Sequence, residues 1–212
     1  MTRPAEGVLR FGPTSRWVHA TAGTLTLACI LTAAVLYNGS LSNLIGNRHT
    51  VRAVHVWCGF ALPVPLLLGL ASAAHRRDLH LLNRFDPHDW RWLRSRNRRD
   101  GRIPVGKFNA GQKVNAALSA GALAVLLLTG SVMYFTQWTP LAWRSGATFT
   151  HDWFALGLGL LVCGHTLYAV RSPVALRAMR TGSVPLAWAR SEHGAWAEEV
   201  AGPSEKAVSA GE

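Results

Sequence analysis

Acidic residues are scarce. The chain of 212 residues has 11 Asp+Glu against 22 Lys+Arg, a formal net charge of +11. The bases cluster in a few segments, which points to membrane-loop charge and not to a nucleic-acid footprint. Cysteine is nearly missing. Cys29, Cys58 and Cys163 each sit inside an apolar run, which argues against a disulfide framework. No Cys-x-x-Cys-His occurs, so any haem is held without thioether links. No cysteine run suits an iron–sulfur cluster either. Charge itself is absent from long stretches. Four of them, at about 17–37, 54–74, 114–135 and 151–171, are almost free of it, and each has the length of one bilayer crossing. The first is longer than a signal-peptide core and no convincing cleavage site follows it, so it is read as a retained span.

The spans predict an all-α, integral membrane four-helix bundle over 17–171. A short basic arm, 1–16, precedes it. A tail, 172–212, follows and is expected on the surface as short amphipathic helix and disordered end. Pro63 and Pro65 predict a kink in the second span, which a membrane helix tolerates when neighbours satisfy the freed carbonyls. Residues 76–113 carry nine Arg and two Lys against four Asp. The positive-inside rule puts that segment in the cytoplasm and, with an even number of spans, both termini too. The outward connections then carry only Arg48, Arg52 and Arg144.

Histidine is the polar residue that the apolar stretches do contain. His151 opens the fourth span and His165 follows 14 positions later. On a helix that is roughly 21 Å along the axis and about 40° from alignment. A histidine in hydrocarbon is a functional hypothesis by default, and a neutral imidazole in a dry site suits metal, often haem iron. By depth, His55 matches His151 at the outer side and His19 matches His165 at the inner side. Two haems b stacked across the bilayer, each between two imidazoles, would form an electron path from face to face. Any one of these residues taken singly also fits an interhelical hydrogen bond; the pairing by depth favours ligation.

Other residues carry paired readings. His49, His80, His88 and His193 are read as surface residues, and His75, beside Arg76 and Arg77, as interfacial. Gly23, Gly59, Gly157, Gly159 and Gly164 either let a flat macrocycle approach or serve ordinary small-residue packing. Arg16 and Arg52 either meet haem propionates or anchor helix ends in the headgroups. The segment Gly106-Lys107-Phe108-Asn109-Ala110-Gly111-Gln112-Lys113 could offer Asn and Gln donors to a quinone head. Taken alone, it reads better as a helix start with a basic anchor.

That segment, with Leu127-Leu128-Thr129-Gly130, resembles the signature of the formate dehydrogenase gamma subunit, a four-span dihaem cytochrome b. Arg16-Trp17-Val18-His19, His55 followed by Gly59, and the spacing of His151 and His165 extend the likeness. So does the tail segment Gly182-Ser183-Val184-Pro185-Leu186-Ala187-Trp188-Ala189-Arg190 with His193 and Trp196. The likeness runs from about 16 to 199. It implies that His55 and His151 hold an outer haem close to an iron–sulfur beta subunit, and that His19 and His165 hold an inner haem. It implies a quinone site at Asn109, Gly111, Gln112 and His165. Electrons from formate, oxidised in a molybdenum- or tungsten-pterin alpha subunit, would reach menaquinone or ubiquinone in the bacterial cytoplasmic membrane. With the donor outside and quinone reduced inside, a proton gradient would build. Two departures leave room for another donor: Ala20 replaces an aromatic, and Glu192-His193 replaces paired histidines. The four histidines also fit hydrogenase-type cytochromes b. Outside this class, the competing reading is a haem-free membrane anchor or small transporter.

Overall fold

The computed structural model describes residues 7–98 and 100–201. Arg3 and Glu6 of the arm, Arg99 of the basic segment and the tail beyond 201 lie outside the described residues. In chain order the elements are β1 (Gly7–Leu9), α1 (Pro13–Tyr37), α2 (Gly39–Ile45), α3 (Arg48–Ala61), α4 (Pro63–Gly69), α5 (Ala73–Asn83) and α6 (Pro87–Arg94). Then come α7 (Ala110–Tyr134), α8 (Leu141–Val170), α9 (Pro173–Thr181), β2 (Ser183–Pro185), α10 (Leu186–Glu192) and α11 (Gly194–Ala201). They divide into two compact units. One is Met1–Arg16 with Ala74–Ala117 and Tyr168–Glu212; the other is Trp17–Ala73 with Leu118–Leu167.

Among the described residues, four helical stretches are long and apolar enough to cross a membrane: Pro13–Tyr37, Arg48–Gly69, Ala110–Tyr134 and Leu141–Val170. Their leucines stay uncovered; Leu31 is 66% exposed, and Leu128 and Leu160 are each 68% exposed. Apolar surface on this scale is a liability in water, and lipid removes the liability. The protein is a membrane protein. Its second stretch breaks at Leu62, between α3 and α4. Pro63 has no N–H to continue the ladder, and it takes the first position of α4, where none is needed. The helix limits differ from the apolar runs. α3 opens at Arg48 because Asn47 caps it, accepting from the Thr50 N–H at 3.0 Å. The 137–150 connection expected before His151 is helical from Leu141 onward, directly after Pro140.

The other unit gives the tail the short helices expected of it and adds a core that the sequence did not show. Residues 173–201 form α9, β2, α10 and α11 around a core of Ala178, Val184, Ala189, Trp196 and Ala197, with Val8, Phe11 and Trp188 packed on it. β2 pairs with β1 in an antiparallel ladder, Gly7 to Pro185 and Leu9 to Ser183, a small addition to an otherwise helical chain. Gly182 makes the joint. Its φ is +88°, and a Cβ there would lie 2.6 Å from the Phe11 carbonyl oxygen, so no other residue fits. Its own carbonyl accepts from the N–H groups of Arg10 at 2.7 Å and Phe11 at 2.9 Å. The sequence separation of these partners is what concealed the fold of the tail.

Candidate functional site

In the unit built from Trp17–Ala73 and Leu118–Leu167, the four expected histidines meet as two pairs. His55 on α3 and His151 on α8 have ring centroids 6.3 Å apart. His19 on α1 and His165 on α8 stand 6.0 Å apart. Two imidazoles sharing one metal, each bonded at about 2.0–2.1 Å and each with about 1.1 Å from nitrogen to ring centre, need roughly 6.3 Å. Both separations agree with that figure. A bare ion would need further ligands. Among the described residues, no group of three or more His, Cys, Asp or Glu is placed to hold one. Two imidazoles facing each other, with nothing to complete a protein-only shell, suit a planar macrocycle that supplies the remaining donors.

Hydrogen bonds fix the His55 and His151 rings. The His55 Nδ1 lies 3.2 Å from the Cys29 carbonyl oxygen, which can only accept. Nδ1 therefore carries the proton, and Nε2 keeps its lone pair. Thr32 supports the same nitrogen at 3.0 Å while donating its own hydroxyl proton to the Ala28 carbonyl. His151 repeats the device, with Thr129 and the Leu126 backbone as partners. Its Nδ1 lies 2.9 Å from Thr129 Oγ1, whose proton goes to the Val125 carbonyl at 2.7 Å. The missing Cβ of Gly130, next in sequence, would lie 3.4 Å from His151 Cε1, so the ring packs directly against the glycine. Thr129-Gly130 thus holds and admits the imidazole, a role the sequence did not disclose. His55 and His151 are half-buried; His19 and His165 are exposed.

The segment before α7 belongs to the other unit. Asn109 and Gln112 form a reciprocal cap. The Gln112 N–H donates to Asn109 Oδ1 at 2.9 Å, and the Asn109 N–H donates to Gln112 Oε1 at 3.0 Å. A Cβ on Gly111 would press on Asn109 Oδ1 and Trp92, both at 3.3 Å. Lys113 is buried and not a snorkelling anchor: its Nζ donates to Asp89 at 2.6 Å and to the Arg84 carbonyl at 2.9 Å. The motif is thus a helix start in which Asn109, Gly111, Gln112 and Lys113 each have a structural task. The amide NH₂ groups of Asn109 and Gln112 lie outside the cap's two bonds.

The family model of prokaryotic cytochrome b561 matches residues 10–182. The chain belongs to the prokaryotic cytochrome b561 family. It is similar to the nitrate-inducible formate dehydrogenase cytochrome b556(Fdn) subunit of Escherichia coli (strain K12), 25% identical over 203 residues, 92% of this chain and 80% of that one. It is also similar to the formate dehydrogenase cytochrome b556(fdo) subunit of the same strain, 24% identical over 192 residues, 86% of this chain and 90% of that one.

As a cytochrome b561 family member the chain takes haem b, and the residues present fit it. His55 and His151 each offer a free Nε2. A Cβ on Gly23, Gly59, Gly157, Gly159 or Gly164 would meet nothing within 4 Å; Gly23 and Gly59 lie one helical turn beyond His19 and His55, on the same face. Arg52 is exposed one turn before His55. Arg16 donates to the Arg180 carbonyl, so part of its guanidinium is committed to the tail. His49, His80 and His88 are exposed, but His193 is only 2% exposed, which corrects its reading as a surface residue. His75 is buried too, beside Ser15 at 3.1 Å. Ser15 also donates to Asp78 at 3.0 Å, and Lys107 donates to the other Asp78 oxygen at 2.5 Å.

Proposed function

We propose that the protein is the membrane subunit of a formate dehydrogenase-type complex. It carries two haems b, the outer between His55 and His151 and the inner between His19 and His165, and passes electrons to menaquinone or ubiquinone. The two facing imidazole pairs are the observation that carries this reading. When bound, the haems supply the one-electron chemistry. The chain grips the iron from both sides, fixes the outer tautomers through Cys29, Thr32 and Thr129, and surrounds the path with apolar helices. Formate as the donor rests on the names of the two relatives. On that reading the partners are an iron–sulfur subunit near the outer haem and a molybdenum- or tungsten-pterin subunit that oxidises formate.

The quinone reading keeps Asn109, Gly111 and Gln112, whose uncommitted amide donors suit a quinone carbonyl. Both termini are assigned to the cytoplasm with the basic 76–113 segment. The pairing of β1 with β2 supports this, because it ties residues 7–9 to residues 183–185, so both ends share one side. Electrons entering outside and protons taken up inside would build a gradient.

Substitution tests the assignment. His55→Ala and His151→Ala should each remove the same haem signal from the reduced-minus-oxidised spectrum, and His19→Ala and His165→Ala the other. Losses that pair differently overturn it. Asn109→Ala should slow quinone reduction with both haem signals intact; loss of haem instead would make that residue purely structural.

A further inference from the structure

Two buried polar residues have no part in the scheme so far. Arg10 is 3% exposed and His193 is 2% exposed. They come from opposite ends of the chain and meet each other: Arg10 Nη2 lies 2.8 Å from His193 Nε2. The other ring nitrogen, Nδ1, lies 2.7 Å from the Gly106 carbonyl oxygen. A carbonyl only accepts, so Nδ1 donates and Nε2 accepts from the guanidinium. The same Arg10 nitrogen also donates to the Lys107 carbonyl at 2.9 Å. The Trp196 N–H reaches the Val105 carbonyl at 3.4 Å. Three consecutive carbonyls, at 105, 106 and 107, are thus gripped from the N-terminal arm and the C-terminal tail.

Aromatic faces hold the cation in place. Arg10 lies 4.9 Å over Trp188, 5.1 Å over Phe11 and 5.8 Å over Trp196. Two residues after the gripped carbonyls comes Asn109. It lines a groove of about 240 Å³ that Trp92, Ile103 and Val105 also line, with Ser191 and Ala195 of the tail. The tail that grips the loop therefore also walls the groove beside Asn109.

We propose that Arg10 and His193 are positioning residues for quinone: they clasp the 105–107 segment and so set where the Asn109 turn presents its amide. The inference rests on the quinone reading of Asn109 given above. Its reach is specific. Breaking the clasp shifts the turn without touching an imidazole ligand, so it alters how quinone is met and not how iron is held.

The test uses the full chain in membranes and menadiol, a soluble naphthoquinol. Each menadiol oxidised gives up two electrons and two protons, and the electrons reduce the haem irons once; absorbance records the rate of that reduction, and KM here is the menadiol concentration giving half its limiting rate. His193→Ala should raise the KM for menadiol about tenfold, with the maximal rate and both haem spectra close to wild type. Arg10→Lys, which keeps the charge but loses the forked reach, should raise KM as well. His193→Asn, which retains one donor and one acceptor, should return KM toward wild type. An unchanged KM in both His193→Ala and Arg10→Lys, with wild type active and Asn109→Ala impaired, overturns the clasp alone. Wild-type protein that menadiol cannot reduce, though dithionite can, overturns the quinone reading and the clasp together. Should His193→Ala not accumulate, Arg10→Lys and His193→Asn decide by the same KM comparison.

Discussion

Thr129 and Thr32 do similar work on different histidines, and the likeness between them is testable. His151 has Thr129 and the Leu126 backbone, and His55 Nδ1 has Thr32 and the Cys29 carbonyl. Partners of this kind orient a ligand and raise its basicity, and their loss weakens metal affinity about 10–100-fold. Thr129→Val and Thr32→Val should therefore each release the haem between His55 and His151 at lower detergent or chelating-protein concentration than wild type, by similar amounts. Wild-type retention in either would contradict this bonding. His193 gives a second prediction. Burial, first, and the adjacent Arg10 charge push its pKa down from 6.5 to about 4, against a smaller raising effect of the Gly106 carbonyl. Between those values the unfolded chain binds the proton more readily than the folded one, so stability falls as pH drops from about 6.5 toward 4. The effect is on the order of 3 kcal/mol. A melting series from pH 7.5 to 4.5 should show a steeper fall for wild type than for His193→Asn; parallel curves would contradict it. Arg10, lowered to about 10 mainly by burial, stays charged throughout this range.

The elements differ in how far the sequence disclosed them. The apolar runs and the paired histidines were readable because both follow from local rules: no charge in hydrocarbon, and a helical rise that converts spacing into depth. The break at Leu62 was readable from Pro63 for the same reason. The tail was not. Its core forms only when Val8 and Phe11 arrive from the far end of the chain, and short runs such as 186–192 have no periodicity long enough to reveal it. His193 looked like a loop residue because its neighbours are Glu192 and Gly194, yet its ring fits between Arg10 and Gly106. Thr129 and Gly130 stood inside a quoted motif, but only the approach of His151 gives them a task. Gly182 is the element-scale test. With φ at +88° and the Phe11 carbonyl 2.6 Å from any Cβ, Gly182→Ala should destabilise the joined arm and tail by at least about 1–3 kcal/mol. Hydrogen exchange at Arg10 and Phe11, whose N–H groups bond to the Gly182 carbonyl, should speed up while both haem signals persist. Unchanged protection would contradict the account of the joint.

At the scale of the whole molecule, the chain separates two tasks. The unit built from residues 17–73 and 118–167 holds the facing imidazoles among exposed leucines. The unit built from the two chain ends and residues 74–117 carries the buried polar ties: Lys107 to Asp78, Lys113 to Asp89 and Arg10 to His193. Ties of this kind are costly to break singly, because each leaves a buried charge or donor unmatched. They give the basic segment a fixed form where sequence alone suggested only a charged loop. The proposed electron path rests on the first unit, and its haem content can be counted. Haem b released from purified full-length protein and measured as its pyridine adduct, against protein by amino-acid analysis, should come to two per chain. A value of one, or none, would contradict the central claim that each imidazole pair grips its own iron.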